Sequence, residues 1–289
     1  MIPSFNHQDF PPKRLSELKA GSTVSVCIPA KDEQSTVGQI VTAIREGLME
    51  HIKLVDEIIV IDDGSKDATA DVALKAGASV HVASKVLEGL GYGWIGSGKG
   101  QAMWAGAAVA HGELVIFCDA DVTNFCVHFV TGILGPLLTN KTIGLVKGFY
   151  DRPLASGPLG TEMGGGRVTE LVAKPVLSLL FPELAAVHQP LAGETALRRA
   201  MLERVRFAAG YGVEIGLLID ISKAFGLEAI SQVDLGVRHH RNRPLDQLAP
   251  QAAEVLSTAL SRAGVTQPES SKDLPPLAEV PAYRDRASH

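Results

Sequence analysis

Apolar residues follow two alternating spacings along the first half of the chain. A β-branched run at 23–29 precedes apolar positions three and four residues apart between Val37 and Leu48, and this succession predicts a strand and then a helix. The same succession recurs, with strands predicted at 57–61, 79–83 and 114–118. Repeated βα units predict an α/β fold, with a mainly parallel, Rossmann-like sheet flanked by helices on both faces.

The pattern changes after residue 155. A glycine-rich stretch at 157–166 breaks it, and the following residues to 263 are predicted to be mostly helical, with one strand at 231–237. The tail is rich in Pro, Ser and charge, so burial cannot offset the entropy of ordering it. We therefore expect a Rossmann-like half over 1–155, a second, mostly helical half over 156–264 and a disordered tail over 265–289.

Composition narrows the class of protein. The chain has 289 residues, 46% hydrophobic and 20% charged, as in ordinary globular enzymes. Its net charge of −5 comes without any block of like charges, which argues against nucleic-acid binding. The sequence contains no apolar run of a secretory signal or membrane span, and its three cysteines lack metal-ligand spacing. These features predict a cytoplasmic protein with no membrane partner.

Polar chemistry is expected where the strands end, because open parallel sheets bind ligands at the carboxyl ends of their strands. The run at 114–118 ends in Asp119, Ala120 and Asp121. Two carboxylates two residues apart suit Mg²⁺ or Mn²⁺, which keep several waters and bridge to substrate phosphates. An isolated Asp-x-Asp is often only a polar turn, but its position at a strand end favours a site.

The first two strand ends also carry acids. The first strand runs into Pro-Ala-Lys-Asp-Glu at 29–33, where a dehydrogenase would place Gly-x-Gly-x-x-Gly, which argues against a nicotinamide site. Asp32 and Glu33 either contact a nucleoside or favour the next helix N-terminus. Asp63, after the second strand, likewise either contacts a nucleoside or belongs to an ordinary turn in which Asp67 caps the next helix.

Four further segments carry candidate groups. Residues 93–100 resemble a P-loop, but Gly100 stands where a Mg²⁺-binding hydroxyl is required, so only Lys99 remains able to approach an anion. The Gly-Gly-Gly-Arg-Val-Thr-Glu run at 164–170 predicts an anion site at a helix start or a linker. Glu214 is a helix-N-terminal charge or an acid that orients a hydroxyl. His-His-Arg-Asn-Arg at 239–243 joins imidazoles and guanidiniums in a basic loop.

The ordered series of these motifs resembles the GT-A glycosyltransferases, and within them the actinobacterial-type glucosyl-3-phosphoglycerate synthases, over residues 11–264. The segments that carry the resemblance are Pro-Ala-x-Asp-Glu, Gly-Lys-Gly, Asp-x-Asp, Gly-Gly-Gly-Arg-Val-Thr-Glu, Tyr-Gly-Val-Glu-Ile-Gly and His-Arg-Asn-Arg-Pro. The resemblance implies retaining transfer of glucose from UDP-glucose to the 2-hydroxyl of 3-phosphoglycerate, for glucosylglycerate biosynthesis. It also implies a Mg²⁺ or Mn²⁺ cofactor and a homodimer.

The resemblance assigns the first half to the nucleotide sugar and the second half to the acceptor. The implied nucleotide-sugar-binding residues are Pro29, Ala30, Glu33, Asp63, Lys99, Asp119, Ala120 and Asp121. The implied acceptor-binding residues are Arg167, Val168, Thr169, Asn242 and Arg243. Asp121 and His240 would hold the metal, and Glu214 would act with Asp119 and Asp121 as a catalytic residue that faces the sugar or acceptor hydroxyls.

Departures from the family pattern keep other functions open. Ala192 replaces a usual Gly and Asp63 a usual Ser, so a mannosyl-3-phosphoglycerate synthase that uses GDP-mannose is the first alternative. A non-catalytic sugar-nucleotide-binding protein is the second, although the retained Asp119, Asp121 and His240 oppose it. A nucleotidylyltransferase would carry a Gly- and Arg-rich loop after its first strand, which this chain lacks. Because no enzyme nucleophile is implied, direct same-face attack is favoured over double displacement through Glu214.

Overall fold

The computed structural model describes residues 1–93, 98–152, 166–239, 245–265 and 273–287. The strands are β1 (Ser4–Asn6), β2 (Val24–Ala30), β3 (Glu57–Asp62), β4 (Ser79–Val82), β5 (Leu114–Phe117), β6 (Leu145–Asp151), β7 (Thr195–Arg198), β8 (Phe207–Ala208), β9 (Ile230–Val237) and β10 (Asp273–Leu274). The helices are α1 (Pro12–Lys19), α2 (Val37–Ile44), α3 (Thr69–Ala76), α4 (Ala83–Gly89), α5 (Lys99–Val109), α6 (His128–Thr139), α7 (Lys174–Leu180), α8 (Arg199–Leu202), α9 (Val213–Phe225), α10 (Leu245–Arg262) and α11 (Pro281–Ala287).

One sheet organises both parts of the chain. Its strand order is β1-β9-β6-β7-β5-β2-β3-β4, and β7 runs antiparallel to both of its neighbours while the other neighbouring strands run parallel. Ala30 pairs with Asp62, and Cys27 pairs with Phe117. The register therefore brings the carboxyl ends of β2, β3 and β5 to one edge, and the predicted mainly parallel α/β fold is confirmed.

The apolar runs in the strands serve two cores, one on each face of the sheet. In β2, Val26 and Ile28 face the core formed with α2 and α6, while Cys27 faces the core formed with α5 and α9. Successive strand residues point to opposite faces, so a strand covered on both sides must be apolar at nearly every position. Burying each such side chain contributes about 1.5 to 3 kcal/mol.

Helix α5 lies tightly between the sheet and the second half of the chain. An added Cβ on Gly106 would meet Cys27 Cβ and Ile61 Cγ1 at 3.3 Å, and one on Gly100 would meet Ala208 O at 1.7 Å. Glycine at these positions lets the helix approach both surfaces. The packing places Lys99, the first residue of α5, at the edge where the strands end, and it explains why position 100 has no side chain.

Several strands were not anticipated. The strands predicted at 57–61, 79–83, 114–118 and 231–237 correspond to β3, β4, β5 and β9. Strands β6 and β7 were missed, and both lie in the middle of the sheet. Strand β7 has only four residues and lies between β5 and β6. Its position therefore depends on pairing with these strands and not on an alternation of apolar and polar residues in its own sequence.

The last described segment differs from the expected disordered tail. Residues 273–287 include β10, which pairs antiparallel with β8, and α11. The buried apolar side chains of this segment are Leu274, Leu277, Val280 and Tyr283. The average composition of the tail does not reveal these four apolar side chains. Their burial offsets the entropic cost of ordering the segment. The segment also contacts α5, where Trp104 Nε1 donates to Pro275 O at 2.9 Å.

Two further observations concern membrane-spanning helices and the cysteines. No helix in the described residues has the length and apolar character needed to cross a membrane. Cys27 and Cys118 are buried free thiols, and Cys126 is an exposed one.

Candidate active site

A cavity of about 520 Å³ lies where the strands end. One wall comes from the loops after β2, β3 and β5 and from the start of α5: Pro29, Ala30, Lys31, Asp32, Glu33, Asp63, Lys99, Asp119, Ala120 and Asp121. The other wall comes from Arg152 at the end of β6 and from the second part of the chain: Gly166, Arg167, Val168, Thr169, Leu191, Tyr211, Glu214, Arg238, Leu248 and Gln251. Residues far apart in sequence thus share one concave site.

Asp119 is held between two cations. Lys99 Nζ contacts Asp119 Oδ1 and lies 2.7 Å from Glu214 Oε1, and Arg238 Nη2 lies 2.8 Å from Asp119 Oδ2. Burial alone would raise the pKa of Asp119, but Lys99 and Arg238 hold that pKa well below its usual value. Gly193 makes room for the carboxylate, because an added Cβ there would lie 2.1 Å from Asp119 Oδ1. Asp119 is therefore ionised and fixed.

Lys99 is correspondingly locked in its charged form. Burial would lower the pKa of Lys99, but the carboxylates of Asp119 and Glu214 raise it above the usual value. Glu214 is 5% exposed and occupies the first turn of α9. The amine thus ties the helix start at 99 to the helix start at 213, so elements of the first and second parts of the chain meet through one ion-paired network.

Arg238 is the main site residue that sequence reasoning missed. Its side chain is 3% exposed, and Nη2 lies 2.7 Å from Asp121 Oδ1 while Nη1 lies 3.4 Å from Glu194 Oε2. Burial would lower the pKa of Arg238, but Glu194 and the other carboxylates raise it well above its usual value. Arg238 directly follows β9, so the strand-end rule that pointed to Asp119 would also have found it.

The ion-paired network suits a divalent cation. Among the described residues, the carboxylates of Asp119, Asp121, Glu194 and Glu214 form ion pairs with Lys99 and Arg238. The buried amine of Lys147 also interacts electrostatically with Glu214, Glu194 and Asp119. Carboxylate oxygens are the ligands that Mg²⁺ and Mn²⁺ prefer. Asp121 is 31% exposed at the cavity. Within the described residues no cluster of three metal-ligating side chains occurs, so Asp121 would need partners from outside them.

Backbone contacts shape the loops after β2 and β3. Ser65 Oγ accepts from Asp32 N at 3.0 Å, and Asp32 Oδ1 accepts from Lys66 N at 2.7 Å. Asp32 has a φ of 55°, a left-handed conformation that Asp tolerates. Asp67 Oδ1 accepts from Thr69 N at 2.9 Å, but Ala68 occupies the N-cap position of α3, so Asp67 lies one residue before the cap and does not cap the helix as predicted. These contacts assign Asp32 and Asp67 to loop structure.

Asp63 combines a backbone contact, a hydrogen bond accepted from the N–H of Gly98, with a place in the cavity wall. Its side chain is 8% exposed, lies 3.7 Å from Lys31 Nζ and lines the cavity, and its Oδ1 has no hydrogen-bond partner in the described part of the chain. Burial raises the pKa of the carboxyl, although Lys31 opposes this. A buried, unpartnered acceptor in a cavity wall suits a ligand that donates hydrogen bonds.

The opposite wall begins a helix. Gly166 has a φ of 82° and leads into Arg167, Val168 and Thr169, of which Thr169 is 3% exposed. Backbone amides at a helix start, a guanidinium and a hydroxyl are the groups that bind phosphate or carboxylate. The segment predicted to form an anion site therefore lies at the cavity wall, and anion binding there stays a prediction.

Comparisons with known proteins agree with this geometry. Residues 25–125 match the model of glycosyl transferase family 2. The chain is 47% identical to the glucosyl-3-phosphoglycerate synthase of Mycolicibacterium paratuberculosis, over 91% of this chain and 79% of that protein. It is 43% identical to the synthase of Petrotoga mobilis, over 90% of this chain and 80% of that one.

Solved structures give the same result. The crystal structure of the Mycobacterium tuberculosis synthase with Mn²⁺, UDP-glucose and phosphoglyceric acid has a TM-score of 0.86 at 41% identity, covering 96% of this chain and 98% of that chain. This chain belongs to the glucosyl-3-phosphoglycerate synthase family. The complex of the same synthase with Mn²⁺, UDP and glucosyl-3-phosphoglycerate has a TM-score of 0.85 at 40% identity, covering 96% and 99%.

Most residues expected of a glucosyl-3-phosphoglycerate synthase meet in the cavity. On the wall formed after β2, β3 and β5 these are Pro29, Ala30, Glu33, Asp63, Lys99, Asp119, Ala120 and Asp121, and on the other wall Arg167, Val168, Thr169 and Glu214. His240, Asn242 and Arg243 lie outside the described residues. The cavity also recruits residues that the motifs did not indicate, Arg152 and Arg238 among them.

Proposed function

We propose that this enzyme transfers glucose from UDP-glucose to the 2-hydroxyl of 3-phosphoglycerate with retention at the anomeric carbon, releasing UDP and glucosyl-3-phosphoglycerate. The observation that carries the proposal is that the paired acids Asp119 and Asp121 line one cavity with the loops after β2 and β3 and with the helix start at Arg167–Thr169. The sequence identity of 47% with a glucosyl-3-phosphoglycerate synthase supports the same reaction.

On the donor side, the loops after β2 and β3 bind the nucleoside and the loop after β5 binds the sugar diphosphate. Pro29, Ala30 and Glu33 line the nucleoside wall with Asp63, which accepts a hydrogen bond from the base. Asp119 is fixed by Lys99 and Arg238, and it contacts the ribose or the sugar. Ala120 separates the two acids, so both follow the end of β5 at the cavity.

Asp121 is assigned to the metal together with His240. Arg238 contacts one oxygen of Asp121, and the side chain keeps 31% exposure at the cavity. A bound Mg²⁺ or Mn²⁺ stabilises the negative charge of the departing diphosphate. Lys99 and Arg238 add fixed positive charge beside the same groups, in a site where burial strengthens electrostatic interactions.

On the acceptor side, Arg167, Val168 and Thr169 hold the anionic acceptor with Asn242 and Arg243. Guanidinium groups bind carboxylate and phosphate through paired hydrogen bonds, and the amides of the helix start add further donors. Holding both substrates in one cavity replaces a bimolecular encounter by a reaction between neighbours.

Glu214 orients hydroxyl groups of the sugar or the acceptor. Its Oε1 lies 2.7 Å from Lys99 Nζ, so the carboxylate is already engaged by a cation and is a poor nucleophile. The acceptor hydroxyl therefore attacks from the face that the diphosphate leaves, and a leaving-group oxygen takes the proton. Mass spectrometry of enzyme quenched during turnover should show no glycosyl adduct on Glu214, and detection of one would replace this route with a double displacement.

Other parts of the proposal remain predictions. They comprise the division into a nucleotide-sugar-binding half over 1–155 and an acceptor-binding half over 156–264, the use of Mg²⁺ as well as Mn²⁺, the homodimer and the cytoplasmic location.

The decisive experiment offers the purified enzyme UDP-glucose and GDP-mannose separately, each with 3-phosphoglycerate and Mg²⁺ or Mn²⁺. Nucleoside diphosphate release and product mass are followed. Preferential UDP release with a hexosyl-phosphoglycerate product is expected. Preference for GDP-mannose would move the enzyme to mannosyl transfer with the same acceptor, and binding of nucleotide sugar without turnover would indicate a non-catalytic binder.

A further inference from the structure

Arg152 is a cavity cation whose charge lacks a carboxylate partner among the described residues. It directly follows β6 and lines the cavity. Its Nη2 donates to the Tyr150 hydroxyl at 3.0 Å, its guanidinium lies 4.8 Å from the centroid of the Tyr150 ring, and its Nε is buried without a hydrogen-bond partner. Lys99 and Arg238, by contrast, are each paired with at least two carboxylates.

Tyr150 does not neutralise this charge. Burial raises the pKa of Tyr150 to about 12, although Arg152 and Arg238 lower it, so the phenol stays protonated at neutral pH. Its hydroxyl oxygen accepts from Nη1 of Arg238 as well as from Nη2 of Arg152. Tyr150 therefore positions two guanidiniums beside each other, and within the described part of the chain only that of Arg238 is paired with carboxylates. A second guanidinium in a cavity wall that has no carboxylate partner in that part of the chain is suited to bind an anion.

The position of Arg152 decides which anion it meets. On one side it lies beside the helix start that carries Arg167 and Thr169, because an added Cβ on Gly166 would stand 3.5 Å from Arg152 Nη1. On the other side it shares Tyr150 with Arg238, which contacts Asp121. Arg152 thus lies between the assigned anion site of the acceptor and the acids at the reacting end.

We propose that Arg152 binds the carboxylate of the acceptor, while the helix start at 166–169 binds its phosphate. In 3-phosphoglycerate the carboxylate is attached to the same carbon as the attacking hydroxyl, and the phosphate is attached one carbon further away. The carboxylate is the group nearer the attacking hydroxyl, so we assign it to Arg152. The planar guanidinium of Arg152 can form two parallel hydrogen bonds to a carboxylate. The inference rests on the proposed function and deepens it, since it makes a phosphorylated 2-hydroxy acid the acceptor class.

Discrimination between two acceptor analogues tests this assignment. Glycerol 3-phosphate keeps the phosphate and the central hydroxyl but replaces the carboxylate by an alcohol, so it lacks the group that Arg152 binds. The measurements are the calorimetric affinities of the wild type and of Arg152→Gln for 3-phosphoglycerate and glycerol 3-phosphate, and kcat/KM for 3-phosphoglycerate at saturating UDP-glucose. Arg152→Lys keeps the positive charge but lacks the planar guanidinium. Arg204→Gln is the control variant.

Arg152→Gln is expected to lower affinity and kcat/KM for 3-phosphoglycerate by about 10- to 100-fold, as for loss of a charged hydrogen bond. Its affinity for glycerol 3-phosphate and its KM for UDP-glucose should change less than about twofold, and Arg152→Lys should fall between the wild type and Arg152→Gln. Arg204 is an exposed arginine whose guanidinium lies 4.8 Å from the Phe225 ring centroid, so Arg204→Gln should leave all values unchanged.

Three results would overturn the assignment. Equal losses for both acceptor analogues would show that Arg152 serves the phosphate or the fold. A raised KM for UDP-glucose would place it on the donor diphosphate, and unchanged values would remove it from the site. If the wild type transferred no sugar, the proposed function would fail, but the calorimetric comparison of the two analogues would still decide what Arg152 binds.

Discussion

Asp119 and Asp121 have the same side chain and opposite environments. Asp119 is contacted on both oxygens by Lys99 and Arg238 and is 18% exposed, whereas Asp121 meets Arg238 with one oxygen and is 31% exposed. Asp121 therefore keeps coordination capacity toward the cavity. A motif alone cannot separate the two acids, because the difference arises from cations that approach from α5 and β9.

Asp121→Asn tests the metal assignment. We expect turnover to fall about 100-fold or more, because the neutral amide is a weaker ligand for Mn²⁺ and Mg²⁺. Initial rates across a metal titration, with calorimetry of UDP binding at each metal concentration, measure the effect. Asp71→Asn, an exposed acid in the first turn of α3, serves as the control and should behave like the wild type. Undiminished activity at saturating metal would refute the assignment.

Asp63 predicts a pH-dependent stability. Its pKa is raised above the usual 3.8 by burial, against the influence of Lys31, so folding disfavours the ionised form. The destabilisation is absent well below pH 3.8, where the carboxyl is protonated in both states; it grows as pH rises from 3.8 to the raised folded-state pKa and is constant above that pKa. Asp63→Asn should therefore stabilise the free protein at neutral pH. Urea denaturation at about pH 4.5 and about pH 8 measures this, and a gain that shrinks as pH rises would contradict it.

At the scale of elements, the C-terminal segment 273–287 is tied to α8, α9 and α10. Arg262 Nε lies 3.1 Å from Asp220 Oδ2, and its Nη1 lies 2.5 Å from Asp273 Oδ2, so a 3%-exposed guanidinium ties α10 to α9 and β10. Arg199 Nη1 donates to the Tyr283 hydroxyl at 2.8 Å. Breaking a buried ion pair of this kind destabilises strongly, because it leaves an unpaired buried charge. The segment supports the helices that carry Lys99 and Glu214.

Leu277→Ala tests whether that segment is part of the fold. Leu277 is fully buried in the core that includes α5 and α9, so the cavity left by truncation should lower the free energy of unfolding by about 2 to 5 kcal/mol. Glu279 is an exposed residue in the same short 3-10 helix, Leu277–Glu279. Glu279→Ala is therefore the matched control and should change the free energy of unfolding by less than about 0.5 kcal/mol. Equal urea midpoints for the two variants would show that the segment does not pack in solution.

At the scale of the whole molecule, the sheet joins the two parts of the chain. Strands β9, β6 and β7 lie in that order between β1 and β5, and β7 of the second part runs antiparallel between β5 and β6 of the first part. Both walls of the cavity therefore rest on one hydrogen-bonded sheet. Occupation of either wall should stabilise the molecule as a unit.

Ligand-dependent melting tests this coupling. UDP with Mn²⁺ at about 100 times its dissociation constant should raise Tm by about 5 °C, and 3-phosphoglycerate should raise it further because it occupies the opposite wall. Asp121→Asn should lose most of the UDP-with-Mn²⁺ increment and keep the 3-phosphoglycerate increment. Two separate melting transitions, each shifted by one ligand, would show that the two parts unfold independently.

The sequence by itself determined the α/β class, the strands at 57–61, 79–83, 114–118 and 231–237, and the segments that form the cavity. These follow from local properties: the apolar period distinguishes strand from helix, and parallel strands place their following residues at one edge. The ordered motifs also pointed to the glucosyl-3-phosphoglycerate synthase family to which the chain belongs.

Only the tertiary structure decided how the groups are paired. Arg238 contacts Asp119 across 119 residues of sequence, and such a pairing leaves no local period or spacing to detect. The insertion of β7, the packing of residues 273–287 and the proximity of Arg152 to Gly166 depend in the same way on surfaces that exist only after folding. Local patterns report which face a residue occupies, whereas the partner on that face is chosen by the packing of distant elements.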